Sequence, residues 1–156
     1  MEITDLVAPD CVIAGLRVRS KSHLLTELAR RAAAATGLPQ EHIREALEAR
    51  EALGSTGVGA GLAIPHAQIT GLNRFFGLFV RLDRSIDYDA IDERPVDLAF
   101  LLLIPADTNE HLQALACVSR RLRDQTIATK LRKAADARDS YEALTGASPT
   151  TTATGL

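Results

Sequence analysis

The chain has 156 residues, 46% hydrophobic and 24% charged, with 18 Lys and Arg against 20 Asp and Glu. That length suits one domain with a proper core, and the balance excludes a disordered chain. A net charge of −2, only 4% aromatics and no Trp argue against nucleic-acid binding. Apolar runs such as Leu98–Ile104 fall far short of the ~20 residues that span a bilayer, so the protein is not expected to be membrane-embedded. Met1, Glu2 and Asp5 do not make the basic start of a signal peptide, and a cytoplasmic location is expected.

Weak alternation over Val12–Arg19 predicts a first strand. Ser20 then reads as an N-cap, with Leu24, Leu25, Leu28, Ala32 and Ala35 on a helical period and Gly37 closing the helix. Pro39 suits the first turn of a second helix, whose apolar positions Ile43, Ala46, Leu47 and Ala49 continue to about Leu53. A glycine-rich segment, Gly54–Gly61, precedes the short apolar stretch Leu62–Ile64, which Pro65 and His66 should stop. Phe75–Leu82 and Pro95–Ile104 read as buried strands, the second apolar on both faces as in a covered sheet. The link Asp83–Arg94 is too short for a crossover helix, so the two should be antiparallel.

Asp107 and Glu110 have capping-box spacing, which predicts a helix from Asp107 through Leu122. Two shorter helices follow, near Thr126–Ala134 and Asp139–Leu144, and the small, Thr-rich stretch Ala147–Leu156 is expected to be disordered. The predicted class is α/β: a single domain with a mixed sheet of about five strands and helices on both faces. Cys11 and Cys117 have no CxxC neighbour, so both read as ordinary reduced thiols.

Chemistry concentrates in Gly54–Ala67. The glycines can cradle an anion on backbone N–H groups, with Ser55 and Thr56 adding hydroxyls and Gly57 an N–H, or they can form a plain long loop. The segment lacks the Gly-Lys-Ser/Thr ending of a nucleotide-binding P-loop and does not open a helix as a dinucleotide fingerprint does. His66 is either a satisfied structural residue or a nucleophile held on a stiff segment behind Pro65. A neutral imidazole attacks phosphorus without first losing a proton. His111, if Asp107 caps its helix, sits where the helix N-terminus favours an anion; otherwise it is an exposed helical residue. Arg50 is a planar donor suited to phosphoryl oxygens, or the partner of Glu45 or Glu51 in an ion pair. His23 and His42 read as surface residues. The late cations, among them Arg120, Arg121, Arg123, Lys130, Arg132, Lys133 and Arg138, form a solvated surface or part of a docking face for an acidic partner. A metal site built on His66 and His111 lacks a carboxylate set with ligand spacing, and no metal or other cofactor is expected.

Arg50-Glu51, Gly54-Ser55-Thr56-Gly57, Gly61 and Ala63-Ile64-Pro65-His66-Ala67 together resemble the active segment of the type-2 enzyme IIA family of phosphoenolpyruvate-dependent phosphotransferase systems. Asp89-Ala90-Ile91-Asp92, Pro95-Val96-Asp97-Leu98, Leu103-Ile104-Pro105-Ala106-Asp107 and His111-Leu112 are similar to the same family, and the later segments look closest to its nitrogen-related branch. The resemblance spans residues 1–146, read as one domain, with 147–156 as a tail. It implies a phosphorylated histidine at His66, a supporting His111 and an arginine at Arg50 near the phosphoryl group, with no cofactor. It also implies an HPr-like phosphocarrier protein as donor. The acceptor is then a IIB domain in a sugar-transport member, or regulated target proteins in the nitrogen-related branch. A third possibility is a binding module switched by phosphorylation of His66. No fused IIB or membrane domain is seen in the sequence, as a freestanding carrier would have it.

Overall fold

The fold is taken from a computed structural model, which describes residues 1–146. The expectation of a disordered tail over 147–156 lies outside the described residues.

Six strands form one mixed sheet: β1 (Val7–Leu16), β2 (Gly57–Gly59), β3 (Leu62–Ala63), β4 (His66–Ile69), β5 (Phe76–Ile86) and β6 (Val96–Pro105). Its order is β1-β5-β6-β3-β2, with β4 also on β6. β5 and β6 run antiparallel, Phe79 opposite Phe100, whereas β1 lies parallel to β5. The helices are α1 (Lys21–Thr36), α2 (Gln40–Ala52), α3 (His111–Arg123), α4 (Gln125–Lys133) and α5 (Ala137–Thr145).

β6 explains the layers. Successive side chains of a strand point to opposite faces. Ala99, Leu101 and Leu103 join Leu24, Leu28, Ile43 and Leu47 of α1 and α2 in one core cluster. Leu98, Phe100, Leu102 and Ile104 join Val118, Leu122, Leu131 and Leu144 of α3, α4 and α5 in another. A strand apolar at every position from Leu98 to Ile104 is therefore buried twice over, once under each helical layer.

The ends of α1 follow the expected local chemistry. The Ser20 hydroxyl accepts from the His23 N–H at 3.1 Å, and Gly37 closes the helix in the left-handed region at φ 78°. Besides β1, which runs Val7–Leu16 rather than Val12–Arg19, three boundaries near the site differ. Pro39 is the N-cap of α2 rather than a first-turn residue. β3 ends at Ala63, before Pro65, but His66 is no part of the stop: it opens β4, and pairing resumes in register, Leu62 opposite Leu98 and His66 opposite Leu102, the same offset on both sides. The proline has no N–H to give, so one ladder bond is lost, but its carbonyl still accepts from the Leu102 N–H at 2.9 Å and the register survives.

The third difference is α3, which starts at His111 and not at Asp107. The Thr108 N–H is taken by the Pro105 carbonyl, and the Thr108 hydroxyl accepts from the Glu110 N–H at 3.2 Å. That turn uses the groups a capping box would need. His111 is thus the first residue of its helix.

Candidate active site

His66 opens β4, and its ring turns back along its own strand. Nδ1 lies 2.8 Å from the Ile64 carbonyl oxygen. A carbonyl only accepts, so Nδ1 carries the proton of the neutral ring. Nε2 then holds a lone pair, and the Arg50 Nε–H donates to it at 3.3 Å. The two contacts select the same tautomer. Burial pushes the imidazole below its ordinary pKa, and the Arg50 charge adds to this, while the contact with Ile64 works against it. The resting ring is neutral, with its lone pair on Nε2.

Arg50 lies in the last turn of α2, and its guanidinium also donates to the Gly54 carbonyl at 2.9 Å. That fixes the start of the glycine segment and the orientation of the donor on His66 together. His111 lines the same open cleft of about 600 Å³, with Arg50, His66 and Gln68. The rings of His66 and His111, far apart in sequence, therefore face one space, approached between α2 and α3. Two leucines flank it, Leu53 at the end of α2, 84% exposed, and Leu112 beside His111, 70% exposed.

The glycine segment is held from below by residues that local spacing did not reveal. The side chain of Glu51 is 7% exposed and pairs with the Lys21 ammonium at 2.9 Å. It also accepts from the Thr56 N–H, the Thr56 hydroxyl and the Tyr88 hydroxyl. Burial pushes the Glu51 carboxyl up, but the Thr56 and Lys21 hydrogen bonds and the Lys21 charge outweigh it, leaving the group below the usual carboxylate range. Burial and the Glu51 charge hold the Tyr88 hydroxyl far above its ordinary pKa. Lys21 also lies over the Tyr88 ring, 4.6 Å from its centroid. The partner of Glu51 is thus Lys21, and Arg50 makes no ion pair with Glu45 or Glu51.

Ser55, Thr56 and Gly57 are spent differently from the expectation that they bind a phosphoryl group. The Ser55 hydroxyl donates to the Tyr88 carbonyl and accepts from the Gly57 N–H, both at 3.0 Å. The Thr56 hydroxyl and N–H go to Glu51. These donors are engaged by Tyr88, Glu51 and Ser55, so in this structure they tie the segment to its surroundings beside Arg50. His23 and His42 are exposed. Of the late cations, Arg121 caps the end of α5 through the Leu144 carbonyl, and Arg132 pairs with Asp97 at 2.8 Å. Among the described residues no three His, Cys, Asp or Glu side chains group to hold a metal ion, and no helix is long and apolar enough to cross a membrane. Both cysteines are free.

A mixed sheet covered on both faces, with a neutral imidazole offered in an open cleft at one edge, is the architecture of a phosphotransferase-system IIA domain. The likeness extends to solved structures. The nitrogen regulatory protein IIA-Ntr of Neisseria meningitidis superposes with a TM-score of 0.86 at 33% identity, over 92% of this chain and 99% of that one. The chain belongs to the family described as "Phosphoenolpyruvate-dependent sugar phosphotransferase system, EIIA 2", whose model matches residues 5–146. It is 51% identical to a nitrogen regulatory protein of Bradyrhizobium diazoefficiens, over 92% of this chain and 95% of the relative. The mannitol enzyme IIA of Escherichia coli, solved in complex with phosphorylated enzyme IIB, shares the fold with a TM-score of 0.75 at 17% identity, over 88% of this chain and 96% of that one. The chain is accordingly a phosphotransferase component.

Proposed function

We propose that His66 accepts a phosphoryl group on Nε2 from an HPr-like phosphohistidine carrier and passes it on, with a nitrogen-related regulatory output. The observation that carries the reading is the His66 ring itself: neutral, proton on Nδ1, lone pair on Nε2, in an open cleft. The donor's phosphorus–nitrogen bond breaks as the bond to Nε2 forms, and the donor imidazole leaves with its electron pair. Transfer needs mainly positioning and donors for the equatorial oxygens. Arg50 must release Nε2 as phosphorus approaches, and its freed N–H groups then meet those oxygens. His111 supplies a second donor from the opposite wall. Ser55, Thr56 and Gly57 contribute by holding the segment that Arg50 grips. No cofactor takes part, and the carrier works in the cytoplasm among its protein partners.

Names borne by relatives favour regulated target proteins as the output. Delivery to a IIB domain is the alternative, which the complex solved for the mannitol protein makes concrete. Intact-mass spectrometry after incubation with phosphoenolpyruvate and the general relay proteins tests the core of the reading. The wild type should gain one base-stable, acid-labile phosphoryl group, and His66→Ala none. Labelling that persists in His66→Ala refutes the assignment. Transfer from the labelled protein to a IIB domain separates sugar transport from a purely regulatory output.

A further inference from the structure

A second cleft opens where β1 and β5 finish, at the other end of the sheet from His66. It measures about 590 Å³ and is lined by Arg17, Val18, Arg19, His23, Asp83 and Arg84, none of which lines the His66 cleft. Register gives the separation. His66 stands opposite Leu102 and Leu102 opposite Gly77, whereas Asp83 lies six residues beyond Gly77 on β5, a run of about 20 Å.

The cleft is shaped by a register slip in β1 between Ala14 and Leu16. Gly15 sits there at φ 101°, and a Cβ on it would meet Asp83 Oδ1 at 2.9 Å. The missing side chain makes room for the one carboxylate in the cleft, which pairs with Arg17 Nε at 3.1 Å. Arg19 and Arg84 have no hydrogen-bond or ion-pair partner for their guanidinium groups among the described residues. Three guanidinium groups against one carboxylate leave a surplus of two positive charges in a concave space. Nδ1 of His23 accepts from the Arg19 N–H at 3.1 Å, which leaves Nε2 as that ring's N–H donor.

We propose that this cleft binds a compact, multiply charged phosphate or diphosphate group, carried by a phosphorylated small molecule or by an anionic lipid headgroup. The surplus charge calls for a multiply charged anion, and a tetrahedral phosphate offers oxygens in several directions, so that guanidinium groups on different sides of the cleft can each take one, which a single flat carboxylate cannot do. The ligand would also neutralise the positive charge that Arg19 and Arg84 bring to the cleft beyond what Asp83 balances. The site is independent of phosphoryl transfer at His66, and its test uses the unphosphorylated full chain.

The probe is inorganic pyrophosphate, followed by calorimetry and by amide chemical shifts, with succinate as the carboxylate control. Saturable binding is expected, with shifts confined to residues 17–23 and 83–84 and clearly weaker binding of succinate. Arg19→Ala/Arg84→Ala should weaken pyrophosphate about tenfold or more, while Lys130→Ala/Lys133→Ala leaves it unchanged. Equal loss in both pairs, succinate binding as tight as pyrophosphate, or no saturable binding to the wild type overturns the proposal. Vesicles of phosphatidylcholine containing phosphatidic acid identify the source. Flotation with them that is lost in Arg19→Ala/Arg84→Ala assigns a headgroup, and absence of flotation beside pyrophosphate binding assigns a soluble ligand. Phosphorylation of His66 in the arginine pair should match the wild type, which keeps this result separate from the relay chemistry.

Discussion

Truncating Arg50 acts on His66 in two ways. The positive charge lowers the imidazole pKa, so Arg50→Ala should raise it, measurable by NMR titration of the ring protons. The same change removes the donor fixed between Nε2 and the Gly54 carbonyl, and phosphoryl transfer should slow about 100-fold, the usual loss for one preorganised donor. An Arg50→Ala protein with wild-type transfer would remove Arg50 from the chemistry. The lowered pKa also has a sign for stability. Between the depressed folded value and the ordinary ~6.5, the unfolded chain binds more protons at this position, so acidification through that window costs stability. His66→Gln should lose less stability than the wild type on acidification below about pH 6.5, read from urea midpoints at a series of pH values. Identical pH profiles would contradict the buried neutral ring. The Pro-His step and Arg50 were legible because they stand in one local run. The fate of Ser55 and Thr56 was not, because the acceptors Tyr88 and Glu51 lie outside any hydrogen-bonding pattern that spacing expresses.

The glycine segment depends on α1 as much as on its own sequence. Glu51 at the end of α2 gathers Lys21 from α1, the Thr56 N–H and hydroxyl, and the Tyr88 hydroxyl from the link after β5. Removing this buried acceptor leaves the Thr56 N–H and above all the Lys21 charge unpaired, and the Thr56 and Tyr88 hydroxyls with only each other. Glu51→Ala should cost about 3 to 5 kcal/mol in chemical denaturation. A loss near zero would mean that the network does not hold the segment. Helix ends with one capping residue, Ser20 and Gly37, were readable, because the decisive bond spans three or four residues. The capping-box reading at Asp107 failed because the Thr108 hydroxyl takes the Glu110 N–H that the box would need. Pro65 does interrupt the pairing, but the sequence did not show that it resumes at His66, because the register is held by β6 rather than by the local run.

Two helical layers on one sheet were visible in the all-apolar run of β6, which no single-sided sheet would bury. What the pattern could not give was the count of strands. The segments between residues 57 and 69 pair in runs of two to four residues, too short to show alternation. Nor does hydropathy mark a leucine as exposed; Leu53 and Leu112 became notable only when found standing out on either side of His66. Apolar surface around a polar target suits docking with a second protein. Leu53→Asp and Leu112→Asp should therefore slow phosphorylation by the carrier protein while leaving the denaturation midpoint nearly unchanged. Unaltered labelling rates would move the docking face elsewhere.

The cleft of His66 has one wall from α2, which packs in the first core cluster, and the other from α3, which packs in the second. Neither half of the molecule owns a complete site. A chain still emerging from the ribosome has Arg50 and His66 but lacks the segment that brings His111, and a chain with α3 undocked has an imidazole open on one flank. On the proposed chemistry, labelling at His66 therefore reports that both helical layers are docked on the sheet.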